Sequence, residues 1–120
     1  MAASGLVISQ IKDAAIVSFR DSSILDGQAV DAIAKKLYAL VDEQAHRKII
    51  LEFDFVRFLS SSMLGVLIAL QKKSKAIKGR FVIASLREDL RKVFQITRLD
   101  KILEFADSEA TALKMLDVKT

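Results

Sequence analysis

The chain has 120 residues, 52% of them apolar and 28% charged, with a net charge of +4, which suits one domain with one real core and excludes a disordered chain. It has no cysteine and a single histidine, His46, which excludes a disulfide framework, a thiolate metal site and a histidine-rich acid–base centre. The longest apolar run, Met63 to Leu70, is far short of the roughly 20 residues a membrane span needs.

Leu6 to Lys12 alternates apolar and polar residues, and Ala15 to Phe19 follows a tight link, so the two read as a hairpin. Asp21 to Asp26 reads as a polar loop, with Asp26 placed to cap the next element. Gly27 to Glu43 is expected to be helical. Val30, Ile33, Ala34, Leu37, Leu40 and Val41 recur there at the three–four spacing of one buried stripe. Lys48 to Phe53 suits a central strand buried on both faces. A second helix is expected from Met63 to Ile77, apolar nearly all round in its first half and basic in its second. Gly79 suits its C-terminal cap before a strand from Arg80 to Ala84. A short helix from Glu88 to Ile96 would turn Leu90, Val93 and Phe94 inward. Ile102 to Phe105 reads as a last short strand, and Ser108 caps a final helix to about Leu116. Strands alternating with helices imply a largely parallel sheet with crossovers, made mixed by the opening hairpin.

The most informative stretch is Phe53 to Leu70, FDFVRFLSSSMLGVLIAL. A strand ends, a short link follows, and three serines precede an apolar helix. The first turn of a helix carries unpaired N–H groups and the positive end of the helix dipole. A hydroxyl there can cap the helix, or carry a phosphate whose oxygens meet those N–H groups. Basic residues gather further on, at Lys72, Lys73, Lys75, Lys78 and Arg80 and then at Arg87, Arg91, Lys92, Arg98 and Lys101. They suit solvated helix faces or an anionic partner. No aromatics interleave with the lysines as a single-strand binder requires, so no nucleic-acid partner is expected.

The order of elements and the segment DFVRFLSSSMLGVLIAL resemble the STAS domain, whose short free-standing members are bacterial anti-sigma factor antagonists. The resemblance covers about Leu6 to Leu116. Asp54 matches the family's strand-end Asp, Ser61 its phosphorylatable serine, Ser62 the neighbouring position, and Leu64-Gly65 the helix opening. Asp26 falls where the family has an acidic residue near the phosphosite. Two positions depart from the family pattern: Ser60 stands where an acid precedes the phosphosite, and Met63 where a glycine follows it.

The resemblance implies an α/β fold in the order β-β-α-β-α-β-α-β-α. It is a mixed, largely parallel sheet of four or five strands with four helices packed against it, and one domain over residues 1–120. It implies an anti-sigma factor antagonist that binds an anti-sigma factor with serine kinase activity and is switched by phosphorylation at Ser61, with Ser60 and Ser62 as lesser acceptors. Asp26, Ser60, Ser61, Ser62 and Met63 would meet the partner, although Met63 also reads as core with Leu64 and Leu67. Asp54 is expected to brace the loop through an Asx turn, and Arg57 to be a solvated loop residue or a partner contact. The alternative function is that of an accessory subunit of a phospholipid-transport ABC complex. No enzyme, metal or cofactor is expected. A nucleophilic serine needs a positioned base, and His46 falls at the far end of the strand that leads to Ser61. With no signal peptide evident, the expected location is cytoplasmic, and the expected state a monomer or weak dimer.

Overall fold

The computed structural model describes residues 6–20, 23–24 and 27–118. Strand β1 (Leu6–Ile11) turns back into β2 (Ala14–Phe19), a hairpin paired antiparallel from Leu6↔Phe19 to Ile11↔Ala14. Its tight link is carried by Lys12, at φ 55°. Strands β4 (Lys48–Glu52), β6 (Arg80–Ala84) and β7 (Glu104–Ala106) continue the sheet in parallel, in the order β1-β2-β4-β6-β7. The continuous apolar runs at β2, β4 and β6 are what a parallel strand covered on both faces requires, and their central residues are buried.

Side-chain alternation sorts the helices. Ala15, Val17, Ile49, Leu51, Phe81 and Ile83 share one core with α1 (Gly27–Asp42), α2 (Ser61–Ala76) and α3 (Glu88–Ile96). Ile16, Ile50, Val82 and Ala84 point the other way and are covered by Ala112, Leu113 and Leu116 of α4 (Glu109–Met115) and the residues after it. Four helices thus enclose a five-stranded, mostly parallel mixed sheet, as the sequence leads one to expect.

The differences are local. Two-residue strands β3 (Ser23–Ile24) and β5 (Phe58–Leu59) pair in parallel beside the main sheet, within stretches read as loop. Two residues carry no periodicity, so pairing this short is invisible in sequence. Asp26 and its expected cap lie outside the described residues. Val93 stands exposed at the edge of the buried face of α3, while Leu90 and Phe94 turn inward. The last strand starts later than expected because Arg98, at φ 63°, opens a 3-10 turn at Leu99–Lys101 that buries Leu99.

At the end of α2 the left-handed residue is Lys78, at φ 60°, and not Gly79. Gly79 is required for space instead. A Cβ there would lie 3.0 Å from the Arg47 backbone and 3.1 Å from Ser74 Oγ.

Candidate functional site

The site is built where β4 leaves the sheet at its carboxyl end. In parallel α/β sheets this end is where connecting loops gather into functional surfaces. Phe53 prolongs the ladder through its N–H to the Ala84 carbonyl at 2.9 Å, is fully buried, and meets Phe19 edge to face at 4.9 Å. Val56, also buried, donates its N–H to the Phe53 carbonyl at 2.9 Å. Two inward anchors in four residues force the intervening side chains outward. Asp54, Phe55, Arg57 and Phe58 are all exposed, and β5 then pairs with β3 and steers the chain into α2.

Ser60 is the last extended residue, at φ −83° and ψ 162°, and its Oγ accepts from the Met63 N–H at 3.3 Å. Its carbonyl accepts from Met63 and Leu64. Ser60 is therefore the helix cap, and this fixes the roles of its neighbours. Ser61 and Ser62 are the first two helical residues, both exposed. Their N–H groups are among the donors that a helix leaves without an intrahelical partner. No acid lies in this first turn, and Lys73 and Lys75 stand in the last, so the positive dipole end is unopposed where Ser61 presents its hydroxyl. An anion carried on that hydroxyl would meet favourable N–H groups and field.

Met63 is fully buried among Val66, Leu67 and Leu70 in the core under α2. The expectation of Met63 as a partner contact is corrected: the helical turn that exposes Ser61 and Ser62 points the next residue at the sheet. The Asx turn expected of Asp54 is corrected too, because the Val56 N–H that its carboxylate would accept from goes to the Phe53 carbonyl at 2.9 Å. Glu52 does the bracing, its Oε1 accepting from the Asp54 N–H at 3.1 Å. Partial burial pushes the Glu52 carboxyl up from its ordinary value, against hydrogen bonds from Ser85 and from the Asp54 backbone, with repulsion from Glu109 and Asp54 adding to the rise. His46 lies before β4, within reach of Gln44 Oε1 at 3.2 Å. The whole length of β4, roughly 16 Å at 3.3 Å per residue, separates it from the serine end. Among the described residues no group of three His, Cys, Asp or Glu side chains gathers as a metal site would require.

Two surface residues escaped the sequence reading: Phe55, 59% exposed, and Phe58, 57% exposed. The signal was present in composition. Phe53, Phe55 and Phe58 fall within six residues, more aromatic bulk than one strand end can bury.

Comparison with known proteins agrees with this fold. The family model for the STAS domain matches residues 7–112. A Thermotoga neapolitana protein provisionally named as an anti-sigma factor antagonist is 31% identical over 71 residues, 59% of this chain and 63% of that protein. The match thus spans a little under two thirds of that relative's length. An anti-sigma-factor antagonist (STAS) domain protein from Planctomyces limnophilus superposes with a TM-score of 0.81 at 22% identity, over 92% of this chain and 96% of that one. Phosphorylated SpoIIAA from Bacillus superposes with a TM-score of 0.71 at 22% identity, over 92% of this chain and 97% of that one. The fold, the sheet order and the family match lead to one assignment: the chain belongs to the STAS domain family.

Proposed function

We propose that the chain is an anti-sigma factor antagonist, a binding module whose partner is an anti-sigma factor with serine kinase activity, and that Ser61 is its switch. The carrying observation is the position of Ser61, exposed as the first residue of α2 while Ser60 performs the capping. The capping hydroxyl is engaged, so the hydroxyl of Ser61 is spare. The relatives' names supply the partner class, and the phosphorylated neighbour supplies precedent for the modification. Phosphorylation adds roughly 1.5 to 2 negative charges at neutral pH and three acceptor oxygens. The fold tolerates them at a helix N-terminus, whereas a packed interface over Ser61 would have to strip them of water.

Binding without chemistry suits the separation of His46 from Ser61, which leaves the hydroxyl no histidine base. Phe55 and Phe58, exposed in the link that leads to Ser61 and Ser62, provide apolar contact area of the aromatic kind that carries interface energy. Asp26 is proposed as a partner contact on the family resemblance alone.

The test uses Ser61→Ala as bait, since a chain that cannot be phosphorylated should stay on its kinase. Wild-type chain is then incubated with the captured kinase and ATP, and fragmentation mass spectrometry locates the modification. One phosphate on Ser61 is the expected result. Phosphate on Ser60 or Ser62 would move the switch. A bait that captures no ATP-dependent serine kinase would favour constitutive docking, as in a transport accessory subunit.

A further inference from the structure

Away from the serine end, three branched aliphatic side chains stand in water at one corner: Val93, Ile96 and Ile102. Ile96 is 82% exposed, the most exposed large apolar side chain among the described residues. Val93 and Ile96 are three residues apart on α3, Val93 at the edge of the face that Leu90 and Phe94 bury and Ile96 turned away from it. Ile102 follows the 3-10 turn directly, and its carbonyl accepts from Gln71 Nε2 of α2 at 3.2 Å. Cations frame this corner. Lys92 lies one helical turn before Ile96, Arg98 and Lys101 lie in the turn, and Lys72 and Lys75 flank Gln71 on α2, all exposed. None of these five forms an ion pair among the described residues, whereas Lys73, Arg80 and Arg91 are paired with Asp42, Glu104 and Asp107. Asp100 is the one acid inside the turn, and Glu88 and Asp89 lie at the far end of α3.

We propose that this corner, Val93, Ile96 and Ile102 within a frame of four unpaired lysines and Arg98, docks on an anionic phospholipid surface. Among the described residues no pocket opens at this corner. Three aliphatic side chains are too little for the core of a stable protein interface, which takes about 800 Å² from each partner. They are enough for shallow insertion at a headgroup boundary when charge assists. Each cation near an anionic leaflet is worth about a fivefold gain in binding, and isolated ammonium groups need no fixed geometry to collect it. Such docking would hold the module at a membrane face while leaving the Ser61 surface to its partner. It stands independently of the assignment at Ser61.

Sedimentation of the purified chain with sucrose-loaded vesicles tests this. One set is phosphatidylcholine alone, and the other carries about 30 mol% phosphatidylglycerol, a composition giving the surface charge the cations need. The chain should pellet with the anionic vesicles only, and raised salt should weaken the binding. Ile96→Ser with Ile102→Ser should reduce binding about tenfold or more. Lys92→Glu with Lys101→Glu should reduce it at least as much. Lys35→Glu with Lys36→Glu, the same change in net charge at two exposed positions of α1, should leave it within about threefold, because charge acts here within a Debye length. No binding to anionic vesicles would overturn the proposal, as would equal binding to neutral ones. So would a double isoleucine variant that binds like wild type, or equal losses from the two charge reversals. A chain that ignores vesicles and instead binds an acidic protein through Ile96 would assign the corner to a protein partner.

Discussion

Three adjacent serines have three different positions in the helix start, and their substitutions should separate accordingly. Ser60→Ala removes the hydroxyl that accepts from Met63 and should cost about 0.5–2 kcal/mol. Ser61→Ala removes an exposed hydroxyl with no capping role and should stay within about 0.5 kcal/mol of wild type. Ser61→Asp places an anion at the favourable dipole end and should gain about 0.3–1 kcal/mol at low salt. Urea melts of the three variants in one buffer check the order. A second residue-scale expectation concerns Glu52, whose carboxyl burial pushes above its ordinary value. The folded chain then holds that proton to higher pH than the unfolded chain does. Stability from this group is present below the unfolded value and lost as pH rises through the folded one. Glu52→Gln keeps an acceptor for the Asp54 N–H and removes the titration. Its stability relative to wild type should therefore rise between pH 4 and pH 7, which melts at the two pH values would show. An unchanged difference would mean that Glu52 titrates alike in both states.

Among the elements, long periodic segments were legible and short or space-determined features were not. The stripe from Val30 to Val41 and the apolar strands at Lys48 and Arg80 carry enough repeats to declare themselves, and they appear as α1, β4 and β6. The serine run was legible as a helix start because N-terminal capping has a local chemistry. What could not be read was tertiary. Phe55 and Phe58 look like core until Phe53 and Val56 are seen to take the inward places. Val93 fits the α3 pattern, but the helix buries only a narrow face. Gly79 looks like a left-handed cap, yet the neighbouring Lys78 takes that conformation and Gly79 answers to the Arg47 backbone. The substitutions should reflect this. Gly79→Ala pushes a methyl against a backbone fixed by the Arg80 N–H to Arg47 carbonyl bond at 2.7 Å, and should cost about 1–3 kcal/mol. Lys78→Gly relieves a left-handed residue with a Cβ and should gain up to about 1 kcal/mol. Thermal melts of the pair should move in opposite directions.

At the scale of the molecule, the sheet and its two layers of helices hold the first turn of α2 in solvent and bury Met63, Val66, Leu67 and Leu70 behind it. Three phenylalanines of one segment express that division. Phe53 is fully buried against Phe19, so Phe53→Ala should cost about 3–5 kcal/mol. Phe55→Ala and Phe58→Ala remove exposed rings and should each stay within about 0.5 kcal/mol, while weakening the hold on a partner at Ser61. A switch placed on such a scaffold acts by charge at a fixed surface. Stability and affinity should therefore respond to phosphate in opposite directions, the fold gaining slightly at the helix N-terminus and the complex losing its dry contact. The most direct measurement is calorimetric titration of the captured kinase with unphosphorylated chain and with chain carrying phosphate on Ser61, alongside melts of both forms. Affinity at least about tenfold weaker for the phosphorylated form, equivalent to about 1.4 kcal/mol, with an equal or higher melting temperature, is the expected result. Equal affinity for the two forms would contradict a charge switch at Ser61.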